Sequence, residues 1–468
     1  MKGLRQGVIA TLTLLFTAVA VAHGQQPIGR TALDDYIAKP DSTYKWQLAT
    51  TIPSPGATTY VLELTSQTWR SEPEVDRPVW KHWLTIVKPA KVEHDTAFIR
   101  IGGGNNGGPP PAKADGASVA MAIQTKSVIL GLGQIPNQPL TFNKDGKPRR
   151  EDDLIAYCWI KYLDTGDATW LPRLPMVKSV VRAMDAATEF LATPEGGGIA
   201  LKHFVVAGGS KRGWTTWLTG VFDPRVVAIV PIVIDIVNVP ATMQNHYAAY
   251  GFWAPSVGDY VNHKVMERSE TPAYAEMLKI IDPYSYRQRL TMPKFILNAA
   301  GDQFFTPDSS RFYFDQLLGP KYLRYVPNGD HGLSETDAMQ SIVAFYTAIL
   351  HKAPIPTLGW KMKDGTLEAT PSTKPITALL WQANNPEARD FRVESIGRAY
   401  KSSPLVPDAE GVYRARVPKP SKGWTAYFIE FTFQGLNDTH FKFTTPVQVA
   451  PDTLPHSYQD FLKSLKNP

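Results

Sequence analysis

Between Tyr60 and Leu350, short apolar, β-branched runs recur at intervals filled by longer helical patterns, and this alternation leaves few architectures open to the chain. The runs are Trp83 to Val87, Ala97 to Ile101, Val128 to Leu132, Phe204 to Ala207, Val227 to Ile234, Phe295 to Asn298 and Tyr322 to Val326. Several are nearly continuous in apolar residues, the mark of strands covered on both faces of a parallel sheet. The clearest helix spans Pro175 to Ala192, with Val177, Val180, Val181, Met184 and Leu191 on one face and a Pro-Glu-Gly-Gly-Gly stop after it. Strands alternating with such helices give an α/β fold, a mostly parallel sheet with right-handed crossovers. Ligands in such sheets bind beyond the carboxyl ends of the strands.

The chain has 468 residues, more than one core usually organises, so two folded units are expected. After Ala353 the pattern changes. Prolines 354, 356, 371 and 375 break up helices, and in Tyr427 to Phe433 alternate residues share one apolar face, which suits a small β-sandwich over residues 354–468. At the other end, Lys2 and Arg5 precede an apolar stretch from Val8 to Val21 and small residues at Ala18, Ala20, Ala22 and Gly24. This reads as an export signal over residues 1–24, too short for the roughly 20 residues of a spanning helix, and implies a periplasmic or secreted protein without stable membrane insertion. Residues 25–353 are then expected to form the α/β domain, with a cap insertion at about 240–290.

The formal net charge is +6 and the basic residues are dispersed, which argues against a nucleic-acid partner. Cys158 is the sole cysteine and sits in an apolar run, so a buried structural thiol is expected and an internal disulfide is excluded. The glycine run at Gly102 to Gly108 lacks the Gly-Lys-Ser/Thr ending of a phosphate-binding loop, and no metal or organic cofactor is expected.

The chemistry concentrates in His203-Phe-Val-Val-Ala-Gly-Gly-Ser210-Lys-Arg-Gly-Trp214, a strand that runs into a glycine-flanked serine and then a helix. A nucleophile elbow needs this order, because a strained turn lifts the hydroxyl above the sheet. The second glycine falls at Gly213, one place late for G-x-S-x-G. The competing reading is a strand-to-helix turn in which Ser210 caps the helix.

An elbow serine needs an acid and a histidine later in the chain. His331 stands in Asn328-Gly-Asp-His-Gly332 after a strand and is the expected general base. Asp302 follows another strand and is the first choice of acid, with Asp235 as the alternative. His246 is the other base worth testing. For the oxyanion, the backbone amides of Lys211, Gly103 and Gly104 are the candidates. Asn105 beside that loop, and Tyr250 and Trp253 in the aromatic-rich insertion, are candidate substrate-binding residues. The expected reaction is hydrolysis of a carboxylic ester, on a small-molecule, saccharide or peptide ester, through an acyl-serine. A serine peptidase would use the same machinery, and a secreted binding or signalling protein would keep the fold without turnover.

Gly-Gly-Ser-Lys-Arg-Gly-Trp-Thr at 208–215, Gly-Gly-Gly-Asn-Asn at 102–106, and the 298–302 and 328–331 segments resemble the PhoPQ-activated pathogenicity-related proteins. That resemblance implies an exported α/β-hydrolase-like protein. A weaker likeness is to the glucuronoyl esterases, whose elbow also has a basic residue after the serine. It implies that Lys211 or Arg212 engages an acidic substrate, against which stands a simple ion pair, the preferred reading for Arg212.

Overall fold

The computed structural model describes residues 29–466, so the expected export signal lies outside the described residues. A nine-stranded sheet forms the body: β1 (Lys45–Ser54), β2 (Ala57–Thr68), β3 (Val79–Pro89), β4 (Thr96–Ile101), β5 (Ile129–Leu132), β6 (His203–Gly209), β7 (Val226–Ile232), β8 (Lys294–Ala299) and β9 (Lys321–Val326). Their spatial order is β1-β2-β3-β5-β4-β6-β7-β8-β9. The first three strands and the β3–β5 pair are antiparallel, and every pairing from β5 to β9 is parallel. From β4 the chain steps to β5 on one side and later to β6 on the other, which opens a crevice above the carboxyl ends of β4 and β6.

The period-2 alternation of the strands sorts side chains onto two cores. Phe204 and Val206 of β6 join Ile99, Leu130 and the helices Glu151–Thr165 and Arg173–Ala192 on one face. Val205 and Ala207 join Phe98, Phe295 and the helix Ala338–His351 on the other. Cys158 is fully buried in the first core, where burial pushes its thiol well above the ordinary range, as suits a packed structural side chain.

The C-terminal region forms two antiparallel sheets, one of three strands and one of five. Their core is continuous with the second face of the main sheet: Phe443 packs against Phe295 at 5.6 Å and stacks on Tyr322 at 5.2 Å. A buried ion pair, Arg389 to Asp308 at 2.7 Å, ties the two regions together. Residues 239–289 insert three helices, Val239–Tyr250, Gly258–Asn262 and Pro272–Ile281, between β7 and β8. Among the described residues no helix is long and apolar enough to cross a membrane.

Candidate active site

β6 ends at Gly209, and Ser210 follows at φ 56° and ψ −127° before the helix Lys211–Phe222 begins. A side chain with a Cβ in that region costs about 1–3 kcal/mol, strain that clusters at functional sites. Although Ser210 occupies the cap position, its hydroxyl makes no capping hydrogen bond. The helix-cap role therefore does not account for a serine here.

The late second glycine has a steric reason. A Cβ on Gly213 would lie 2.8 Å from the Gly208 carbonyl and 2.8 Å from Ile234 Cγ2, and one on Gly208 would lie 2.7 Å from the Arg212 carbonyl. The helix thus crosses its own strand at residue 213, while the Arg212 side chain leaves the strand and reaches Ile135 and Glu151. Gly213→Ala is expected to destabilise the fold by about 1–3 kcal/mol, as overpacking does, read as a lower denaturant midpoint at unchanged slope.

Asp302 lies just past β8 and His331 past β9, so both reach the same end of the parallel sheet as Ser210. The His331 Nδ1 lies 3.0 and 2.9 Å from the two oxygens of the buried Asp302 carboxylate. Asp302 also accepts the Phe304 amide at 2.7 Å, and Gln303 Oε1 accepts the His331 amide at 2.8 Å, so acid, base and loop hold one another. His331 Nε2 is enclosed and has no hydrogen-bond partner. Ser210 and His331 are not directly hydrogen-bonded. Phe304 relates the two: it packs on the imidazole at 4.2 Å and lines the Ser210 cavity.

Asp235 belongs elsewhere. Its oxygens accept the Tyr313 and Tyr325 hydroxyls at 2.6 and 2.5 Å, which leaves Asp302 as the imidazole's carboxylate partner. Burial pushes the Asp235 carboxyl up to about 7, assisted by the Asp302 charge and opposed by the two tyrosines. The native state therefore holds this proton more tightly than the unfolded chain, and stability is lost as pH rises from about 4 to about 7. Asp235→Asn should flatten that decline, seen as a smaller drop in melting temperature between pH 5 and pH 8 than in the parent protein.

His246 is likewise engaged elsewhere. Its Nε2 accepts the Ala254 amide at 3.0 Å, and burial together with the Arg392 charge pulls it down to about 3. Trp253 and Tyr250, expected to meet substrate, do not line the Ser210 cavity. Gly251, at φ 77°, ends the helix Val239–Tyr250, and beyond it Trp253 packs on Phe461 of the last helix, Tyr458–Lys466, at 5.4 Å. Tyr250 lies under the Arg392 guanidinium at 5.1 Å. The insertion instead covers Ser210 with Val239, Met243, Tyr260 and Met266, enclosing a cavity of about 50 Å³.

The register pairs Ile101 with Gly208, so Gly103 and Ser210 each lie two residues beyond a paired position on adjacent strands. Gly102 and Gly103 direct their carbonyls to the amides of Ile135 and Gln134. No described residue accepts a hydrogen bond from the amides of Gly103, Gly104 or Lys211. A Cβ on Gly103 would meet the Arg212 guanidinium at 2.6 Å, so the loop passes close to that side chain. Asn105 is exposed and does not line the Ser210 cavity.

Lys211 and Arg212 are ion-paired. Lys211 Nζ lies 2.8 Å from Glu151 and 3.0 Å from Asp152, and Arg212 lies 2.6 Å from Glu151 and donates to the Ile135 carbonyl at 2.6 Å. Burial alone would raise the Glu151 carboxyl, but the two cations hold it down to about 2. Sequence reasoning missed Glu151 and Asp152, whose place in a helix's first turn reads as a response to the helix dipole. It also missed the C-terminal supports: Val393 donates its amide to the Gly301 carbonyl at 2.9 Å, and Tyr400 exchanges hydrogen bonds of 2.9 and 3.0 Å with Asn328. The loops carrying Asp302 and His331 are thus both braced by the tail.

Sheet order, elbow and covering insertion define an α/β-hydrolase fold. The PhoPQ-activated pathogenicity-related protein family matches residues 33–392, and the chain belongs to that family. It is 41% identical over 455 residues, 91% of each chain, to the autocrine proliferation repressor protein A of Dictyostelium discoideum. It is also 27% identical over 163 residues, 35% of this chain and 34% of the other, to the acetyl esterase Axe7A of Xylanibacter ruminicola. Among solved structures, acetyl xylan esterase 1 of a Thermoanaerobacterium species aligns at a TM-score of 0.47 and 14% identity, over 68% of this chain and 91% of that one.

Proposed function

We propose that this protein is an exported serine hydrolase that cleaves a carboxylic ester through an acyl-serine intermediate. The observation that carries the reading is the imidazole of His331, paired to a buried carboxylate through Nδ1 while Nε2 is left without a partner, at the sheet end where a strained Ser210 leaves its hydroxyl uncommitted.

In this mechanism Ser210 Oγ attacks the ester carbonyl as His331 Nε2 takes its proton, and Asp302 steadies the imidazolium. The carbonyl oxygen becomes an oxyanion received by the Lys211 amide and that of Gly103 or Gly104. Collapse expels the alcohol, which takes the proton from His331; water then repeats the sequence, freeing the acid and Ser210. The serine–histidine contact is often long in the free enzyme and tightens when substrate enters, consistent with its absence here. The name of the Xylanibacter ruminicola relative supports an ester substrate. Export rests on the residues 1–24 reading.

The second reading, a secreted signal that keeps the fold without turnover, is favoured by the 41% identity to an autocrine proliferation repressor. A fluorophosphonate probe separates the two. Covalent labelling mapped to the peptide holding Ser210 is the expected result, and an unlabelled folded protein would favour the signal.

A further inference from the structure

Three charged side chains line the Ser210 cavity: Asp152, Lys211 and Arg173. Two of them satisfy one another, since Lys211 Nζ lies 3.0 Å from Asp152, which also accepts the Tyr260 hydroxyl at 3.0 Å. Arg173 stands outside that pair. It is 1% exposed, its Nη1 donates to the Lys211 carbonyl at 3.0 Å, and its guanidinium lies over the Trp214 ring at 4.6 Å. Its Nε is enclosed with no acceptor, and no described carboxylate comes within ion-pair distance of it.

A buried cation without a counter-ion is costly, and an apolar side chain of similar size would fill this space without that penalty. Burial lowers Arg173 only to about 10, so it remains a cation at neutral pH. The cavity wall is otherwise mainly apolar, with Trp159, Trp214, Met243 and Phe305, a setting in which a charge–charge contact is strong. The planar guanidinium suits a carboxylate, whose two oxygens match its fork.

We propose that Arg173 anchors a carboxylate on the short arm of the ester held in this cavity, so that the substrates are anionic esters. This rests on the serine-hydrolase reading. Since a single water needs about 10–15 Å³, a cavity of about 50 Å³ admits an arm of only a few heavy atoms. The carboxylate belongs either to the acyl side or to the alcohol side, and two pairs of shape-matched esters distinguish them. Monomethyl succinate against methyl 4-methylpentanoate places the charge on the acyl arm, and acetylglycolate against isobutyl acetate places it on the alcohol arm.

In one pair the anionic ester should exceed its neutral match in kcat/KM by about tenfold or more, the strength expected of a charge-assisted contact. Arg173→Met should bring that ratio to about one or below, and Arg173→Lys should retain part of it. Because the ratio is taken within each variant, a general loss of activity cancels. A parent protein with no anionic preference in either pair would overturn the proposal, as would a preference that survives Arg173→Met. Should the parent hydrolyse none of the esters and fail to react with a fluorophosphonate, the serine-hydrolase reading falls. The anion site is then read by itself, from thermal stabilisation by succinate over succinamide, and no difference between them overturns it.

Discussion

Ser210→Ala is expected to lower turnover of a small activated ester by about 10⁴-fold or more, leaving only the residual rate that oxyanion donors and binding supply without a nucleophile. The loss should fall on kcat, because the removed atom forms a bond only along the reaction path. Stability should scarcely change. The hydroxyl caps no backbone group, and alanine keeps the Cβ, so the strain at φ 56° is the same in both proteins. A folded Ser210→Ala protein that still hydrolyses the ester at the parent rate would remove Ser210 from the reaction.

The parts of this molecule that were legible in the sequence are those governed by local pattern. Strands β4 to β9 are buried on both faces and read as apolar runs, and the elbow's strand, glycines and helix are contiguous. β1 and β2 do not stand out: β1 alternates exposed with half-buried positions throughout, and β2, though mostly buried, mixes Thr, Ser, Glu and Gln among its apolar residues. The helix assigned from Pro175 begins at Arg173, and those two residues matter, since Arg173 reaches the Ser210 cavity.

What the sequence hid is contact across distance. Asp302 and Asp235 each follow a strand, and only side-chain geometry separates an acid facing His331 from one held by two tyrosines. Nothing local to Trp253 says that it turns toward Phe461, 208 residues away by number, and away from Ser210. The ion pairs of Lys211 and Arg212 with Glu151 depend on a helix that precedes the elbow by some 60 positions. The bracing of the Asp302 and His331 loops by Val393 and Tyr400 likewise becomes visible only once the tail has folded back on the sheet.

The second large effect is expected from Asp302→Asn, which should reduce kcat by about 10⁴-fold at neutral pH with little change in KM. The effect turns on a proton. With Asp302 ionised, both of its oxygens accept, so the His331 proton sits on Nδ1 and leaves Nε2 free to receive the one from Ser210. An asparagine can present its NH₂ to Nδ1, which then accepts, and the ring proton moves to Nε2, where it blocks the transfer. The backbone should hold, because Gln303 still accepts the His331 amide and the Phe304 amide can still meet an amide oxygen. Asp235→Asn is the matched comparison, carrying the same chemical change on a carboxyl bound by tyrosine hydroxyls. Steady-state kinetics on the two variants should separate them by at least about two orders of magnitude in kcat. Equal losses would mean that Asp302 does no more for His331 than Asp235 does from a distance.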